Sequence, residues 1–126
     1  MPLLAVAAAI VAALLHVWIF VLESLWFDRP EVWRRFGIAS EADARVVRSF
    51  AYNQGFYNLF LAIGIAIGLG LVWLGYAAAG SAIVAFACAS MVGAGAVLAT
   101  HNRALIRAAA LQIGPALIAL VAIILL

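Results

Sequence analysis

The sequence predicts an all-α fold: an integral membrane bundle of four transmembrane helices, with a short interfacial helix between the first and the second. Three observations predict it. Of 126 residues, 70% are hydrophobic and 10% charged, too little polar surface to cover a soluble core of this length. The apolar residues fall into four stretches, about 3–25, 50–74, 81–99 and 104–126, each near the roughly 20 residues that a spanning helix needs. All seven basic residues are Arg, and all lie in the two segments on one side of the resulting topology. The chain reads as a single four-helix transmembrane domain over residues 1–126, leaving no room for a soluble domain.

The first stretch has the position of a secretory signal but not its chemistry. A signal carries basic residues ahead of its apolar core, whereas only Met1 and Pro2 precede this run, which also holds His16 and Glu23. It reads as a retained span.

Residues 26–49 form the one long connection and carry Arg29, Arg34, Arg35, Arg45 and Arg48. Asp28 with Glu31 has capping-box spacing, Pro30 suits a first helical turn, and Gly37 suits a C-terminal cap. Trp26, Phe27, Trp33 and Phe36 interleave with Arg34 and Arg35, a composition suited to a helix lying in the headgroup zone. Ser40 with Asp43 marks a second cap, opening a helix that runs through Arg45 and Arg48 into the second span. The other basic segment, joining the third and fourth helices, carries Arg103 and, in the first turn of the fourth span, Arg107. The opposite side has the N-terminus, the link at 75–80 and the C-terminus, with no Lys or Arg. Arg-bearing loops are therefore expected in the cytoplasm and both termini outside it. The abundance of Ala and Gly, with Arg but no Lys, suggests a GC-rich bacterial genome and hence a bacterial inner membrane. The net charge of +2 does not point to nucleic acid; arginines at membrane edges set topology and meet lipid headgroups.

In lipid, helices associate through small residues and hydrogen bonds, so inward faces should carry both. At about 100° per residue, Ala5, Ala9, Ala12, His16 and Glu23 share a narrow arc of the first span. On the second, Asn53, Gln54, Tyr57 and Asn58 cover roughly 140°, an arc that includes Gly64 and Gly68. The third aligns Ala82, Ala89, Gly93, Ala96 and Thr100; the fourth aligns Ala108, Gln112, Ala116 and Ala119, with Pro115 close by. Helical rise places Glu23, Asn53 and Gln54 about one turn from the Arg-bearing edge, Tyr57, Asn58 and Gln112 roughly 10–12 Å deep, and His16 about 15 Å deep. One half of the membrane thus holds nearly all the polar side chains, and the expectation is a polar pocket opening toward the cytoplasm.

These residues resemble the small membrane proteins grouped as domain of unknown function 1304. The matching stretches are His16-Val17-Trp18-Ile19-Phe20-Val21-Leu22-Glu23, then Asn53-Gln54-Gly55-Phe56-Tyr57-Asn58-Leu59-Phe60-Leu61-Ala62, and Gln112-Ile113-Gly114-Pro115-Ala116. The resemblance spans nearly the whole chain. It implies a helical membrane protein and supports the polar residues as a set, and it implies no activity.

Three functions fit such a set. The pocket could bind or transport a small or lipid-like molecule through His16, Glu23, Asn53, Gln54, Tyr57, Asn58 and Gln112. The chain could be a membrane enzyme with His16 as general acid or base, assisted by Glu23 or Gln112. Or it could be a structural subunit whose polar groups join helices, Glu23 pairing with Arg48 or Arg103 and His16 bonding Asn58 or Gln112. No cofactor or metal is expected: His16 is deep while His101 is in a loop, and Cys88, His16 and Glu23 lack metal-ligand spacing. Ser24 and Cys88 have no triad partner at evident spacing; Cys88 reads as a buried thiol without a role. No charged ring or carbonyl filter suggests a channel. A transporter built on inverted repeats would need a homodimer, for which the Gly64–Gly68 face is a candidate contact.

Overall fold

A computed structural model describes residues 1–126 and contains helices and turns without strands. Helix α1 (Leu3–Phe20) continues into a π-helical turn at Val21–Leu25; α2 (Pro30–Trp33) is short and ends in a 3-10 turn at Arg34–Phe36. Helices α3 (Glu41–Trp73), α4 (Ala77–His101) and α5 (Ile106–Leu125) follow, the last preceded by a 3-10 turn at Arg103–Leu105. Four helical segments are long and apolar enough to cross a membrane: Leu3–Leu25, Glu41–Trp73, Ala77–His101 and Arg103–Leu125.

The links explain the topology. After α3, Tyr76 N–H donates to Leu71 O (2.9 Å) and Gly75 N–H to Val72 O (3.2 Å), with Gly75 at φ 93°. That paired bonding with a left-handed residue is the Schellman cap, which glycine enters without strain, and it sends α4 back alongside α3. The same motif ends the 3-10 turn after α2. There Ile38 N–H donates to Trp33 O (3.3 Å), Gly37 N–H donates to Arg34 O (3.0 Å), and Gly37 has φ 78°. Ser40 caps α3 as expected: its Oγ accepts from Asp43 N–H at 3.1 Å. With 33 residues, α3 is about 50 Å long, against about 30 Å of bilayer hydrocarbon. Its first turns, bearing Glu41, Asp43, Arg45 and Arg48, extend beyond its apolar part.

The four long helices form a ring in which α1 packs on α3 and α5, α4 packs on α3 and α5, and α1 and α4 are diagonal. Their common core joins Ala8, Ala9 and Ala12 of α1, Ile65 of α3, Val84, Ala87, Cys88 and Met91 of α4, and Ala116 and Ala119 of α5. Alanines let α1 and α5 come close; the larger side chains of α3 and α4 fill the space that remains. The predicted arc of α1 is the buried one: Ala5, Ala9, Ala12 and His16 are inside. The predicted stripe of α4 is not. Ala82, Ala89, Gly93, Ala96 and Thr100 are exposed, while Gly80, Val84, Ala87, Cys88, Met91 and Gly95 face inward.

The connection is a folded cap rather than a bare anchor. Phe27 and Trp33 are buried against Ala44 of α3, flanked by Phe36, Ile38, Val47 and Ala51. The expected capping box does not form: α2 starts one residue later than it implies, with Arg29 as the N-cap and no side-chain cap bond. Asp28 instead pairs with Arg48 of α3 at 2.7 Å. Arg29 stacks over Trp26 (4.3 Å) and Arg34 over Trp33 (5.1 Å).

Candidate functional site

The polar residues of α1 and α3 meet where the π-helical turn touches α3. At Val21–Leu25 the backbone bonds reach one residue further than in an α-helix, as in Trp26 N–H to Val21 O (2.9 Å). Such single π turns recur at functional sites. This one carries Glu23 and Ser24. Asn58 Nδ2 donates to Glu23 Oε2 at 2.8 Å and to Gln54 O one turn back at 3.1 Å. Ser24 Oγ donates to Tyr52 O at 2.8 Å. Gly55 makes this approach feasible: a Cβ there would collide with Ser24 Oγ and lie 3.1 Å from the Cβ atoms of Glu23 and Ser24. The Asn53–Asn58 run thus has a physical reading, Gly55 for contact and Asn58 for the bond to Glu23. Ser24 is a joint between the helices.

His16 is fully buried. Its Nδ1 donates to Ala12 O at 2.9 Å, which in the neutral ring leaves Nε2 a bare acceptor. Nε2 has no partner, alone among the protein's buried side-chain polar atoms. The expected bond from His16 to Asn58 or Gln112 is absent: Asn58 bonds Glu23, and Gln112 Nε2 donates to Met91 O at 3.2 Å. Glu23 likewise pairs with neither Arg48 nor Arg103; the two ion pairs are Arg45–Glu41 and Arg48–Asp28, both 2.7 Å.

The rest of the predicted set is divided. Asn53, Gln54 and Tyr57 are exposed side chains of α3. Glu23, Asn53 and Gln54 line an open groove of about 350 Å³, walled by Phe27, Phe36 and Phe50 among others. Tyr57, 59% exposed, is not part of it. From the sequence Phe27 and Phe36 read as headgroup-zone aromatics, and nothing there marks them as walls of a groove shared with Phe50. Gly68 is spent within the bundle against Gly80 and Val84, whereas a Cβ at Gly64 would meet nothing within 4 Å. No group of three or more His, Cys, Asp or Glu residues is arranged to hold a metal ion, and Cys88 is a buried free thiol.

Fold and site together define a helical protein whose long apolar helices suit a lipid bilayer and whose polar groups gather between α1 and α3. The chain belongs to the family described as "Protein of unknown function (DUF1304)", whose profile matches residues 10–124. Neither a curated protein nor a solved structure matches it.

Proposed function

We propose that the protein resides in the bacterial inner membrane and that its polar inner surface binds a small or lipid-like molecule, in keeping with transport. In this reading the Arg-bearing loops are cytoplasmic and both termini lie on the far side, because seven arginines occupy one end of the bundle and none the other.

One observation carries the binding reading: His16 Nε2 is completely buried and has no partner. An orphaned buried polar atom costs about 1–3 kcal/mol, and ionisable groups within membrane helices tend to serve substrate or proton pathways. A hydroxyl, amide or water donating to Nε2 would recover that cost. Glu23 with Asn58, and the groove edge at Asn53 and Gln54, would form the approach from the Arg-bearing end. Tyr57 and Gln112 fall outside this smaller set, one exposed and the other bonded to Met91.

The test is His16→Leu, followed by native mass spectrometry of protein extracted in mild detergent. Leucine removes the unsatisfied atom, so the variant should stay folded and lose a small molecule that the parent retains. Collapse of the variant, or an identical retained mass, would reject the reading. A C-terminal reporter active only in the cytoplasm should remain silent; a strong signal would reverse the topology.

A structural-subunit reading is favoured by the bonds that tie α1 to α3 at Glu23–Asn58 and α5 to α4 at Gln112–Met91. Collapse of His16→Leu would select it. The membrane-enzyme alternative has no specific observation in its favour, since neither ring nitrogen of His16 meets a carboxylate or hydroxyl.

A further inference from the structure

Two recesses flank the connection between α1 and α3, and their charges differ. The first, of about 310 Å³, is lined by Asp28, Glu41, Arg45 and Arg48, which form the two ion pairs. Each charge there already has its complement. The second is the groove of about 350 Å³ containing Glu23. No basic side chain lines it, and Glu23 belongs to neither ion pair. Asn58 satisfies only Oε2, leaving Oε1 without a protein partner. Phe27, Phe36 and Phe50 border the same space. A carboxylate without a counter-charge beside aromatic faces has the chemistry that recognises organic cations, by charge and by attraction to the rings. The amide oxygens of Asn53 and Gln54 add acceptors that an ammonium N–H can use.

We propose that the groove beside Glu23 binds an amphiphilic cation, its positive centre at the Glu23 carboxylate and its apolar body along Phe27, Phe36 and Phe50. This deepens the binding reading above and rests on it. The groove is open, so such a ligand could enter without opening the bundle.

Equilibrium binding of tetraphenylphosphonium to the full chain in dodecyl maltoside tests it, with tetraphenylborate as a control of the same shape and opposite charge. Saturable binding of the phosphonium is expected, with none of the borate. Glu23→Gln keeps an acceptor for Asn58 and should weaken phosphonium binding at least tenfold; Phe50→Ala, at an exposed position, should weaken it severalfold. Equal binding by Glu23→Gln, or equal binding of the borate, would overturn the proposal. Competition by added phosphatidylethanolamine would support the proposal and assign the natural cation to a lipid headgroup; saturable phosphonium binding without competition would support it with a free amphiphilic amine. The outcomes also separate the two readings. A neutral or anionic molecule retained by the parent and lost from His16→Leu would preserve the broader reading and refute the cation.

Discussion

Helix α3 makes two close contacts through glycine, and they are built differently. Near its C-terminal end, Gly68 meets Gly80 of α4 backbone to backbone: a Cβ on Gly68 would lie 2.8 Å from Gly80 O and 2.7 Å from Val84 Cγ2. That contact is apolar and adjoins the alanine-rich core at Val84. Nearer its charged end, Gly55 meets Ser24 and Glu23 of the π-helical turn, and the contact is stitched by side chains, Ser24 to Tyr52 O and Asn58 to Glu23. In lipid there is no hydrophobic drive to press helices together, so each contact must hold by fit or by bonding. The first holds by fit and leaves no group free for chemistry. The second holds by bonding and leaves Glu23 Oε1 and, about two turns further along α1, His16 Nε2 available.

This contrast ranks substitutions. The largest effect is expected at Gly80→Ala, whose Cβ would meet Gly68 O and lie 2.7 Å from Val72 N. Backbone atoms cannot rotate away, so α3 and α4 must part, at a cost of about 3 kcal/mol, the upper end of ordinary overpacking. Steric trapping in bicelles reads it, and a loss below about 0.5 kcal/mol would show that the contact is looser than drawn. Next comes Asn58→Leu, which strips Glu23 Oε2 of its donor. Polar pairs between membrane helices are worth at most about 1.7 kcal/mol in measured cycles, so about 1.5 kcal/mol is expected. In a cycle with Glu23→Leu, additivity of the two losses would deny the coupling.

Gly55→Ala should cost less, about 1 kcal/mol, because the nearest obstacle is a rotatable hydroxyl rather than a carbonyl. Adding Ser24→Ala should recover roughly half of that, since it removes Oγ but keeps the Cβ at 3.1 Å. Strict additivity of the two substitutions would mean that Ser24 is not the limiting contact.

The same contrast explains what could be read from the sequence. The number of helices, the Gly37 and Ser40 caps and the inward face of α1 were legible because each depends on local chemistry: span length, cap geometry, and an alanine stripe broken by His16 and Glu23. The bond at Glu23 was not, because it depends on the π-helical turn at Val21–Leu25, and His16 closes on its own helix at Ala12 O instead of on another. No residue in the π-helical turn announces it, and it changes the direction of Glu23 and Ser24 relative to the straight wheel. Asp28 does not act as a cap because Arg48, far along the chain, claims its carboxylate. On α3 the predicted arc is split: Asn58 and Gly68 are buried, whereas Asn53, Tyr57 and Gly64 lie about opposite Gly55 and Gln54 is exposed. Burial there follows Gly55, Asn58, Ala62, Ile65 and Gly68. Polarity alone could not distinguish Asn58, which has a partner, from Asn53, which borders the groove.

Helix α4 gives the sharpest test of that lesson, through the smallest effect. Small residues lie on nearly all its faces, so a small-residue stripe carries little information about which side packs. Its orientation is decided by volume: the alanine faces of α1 and α5 leave space that Val84, Cys88 and Met91 fill. The stripe that looked like a packing face, Ala82, Ala89, Gly93 and Ala96, is exposed, and a Cβ on Gly93 would meet nothing within 4 Å. Ala89→Leu should therefore change stability by less than about 0.5 kcal/mol, as surface substitutions do. Were that stripe packed inside the bundle, Ala89→Leu would overfill it and cost about 1–3 kcal/mol. A loss of that size, independent of protein concentration, would mean that α4 is rotated and that Met91 is not the core residue receiving the Gln112 bond. A loss that appears only on dilution would place the stripe between two copies of the chain.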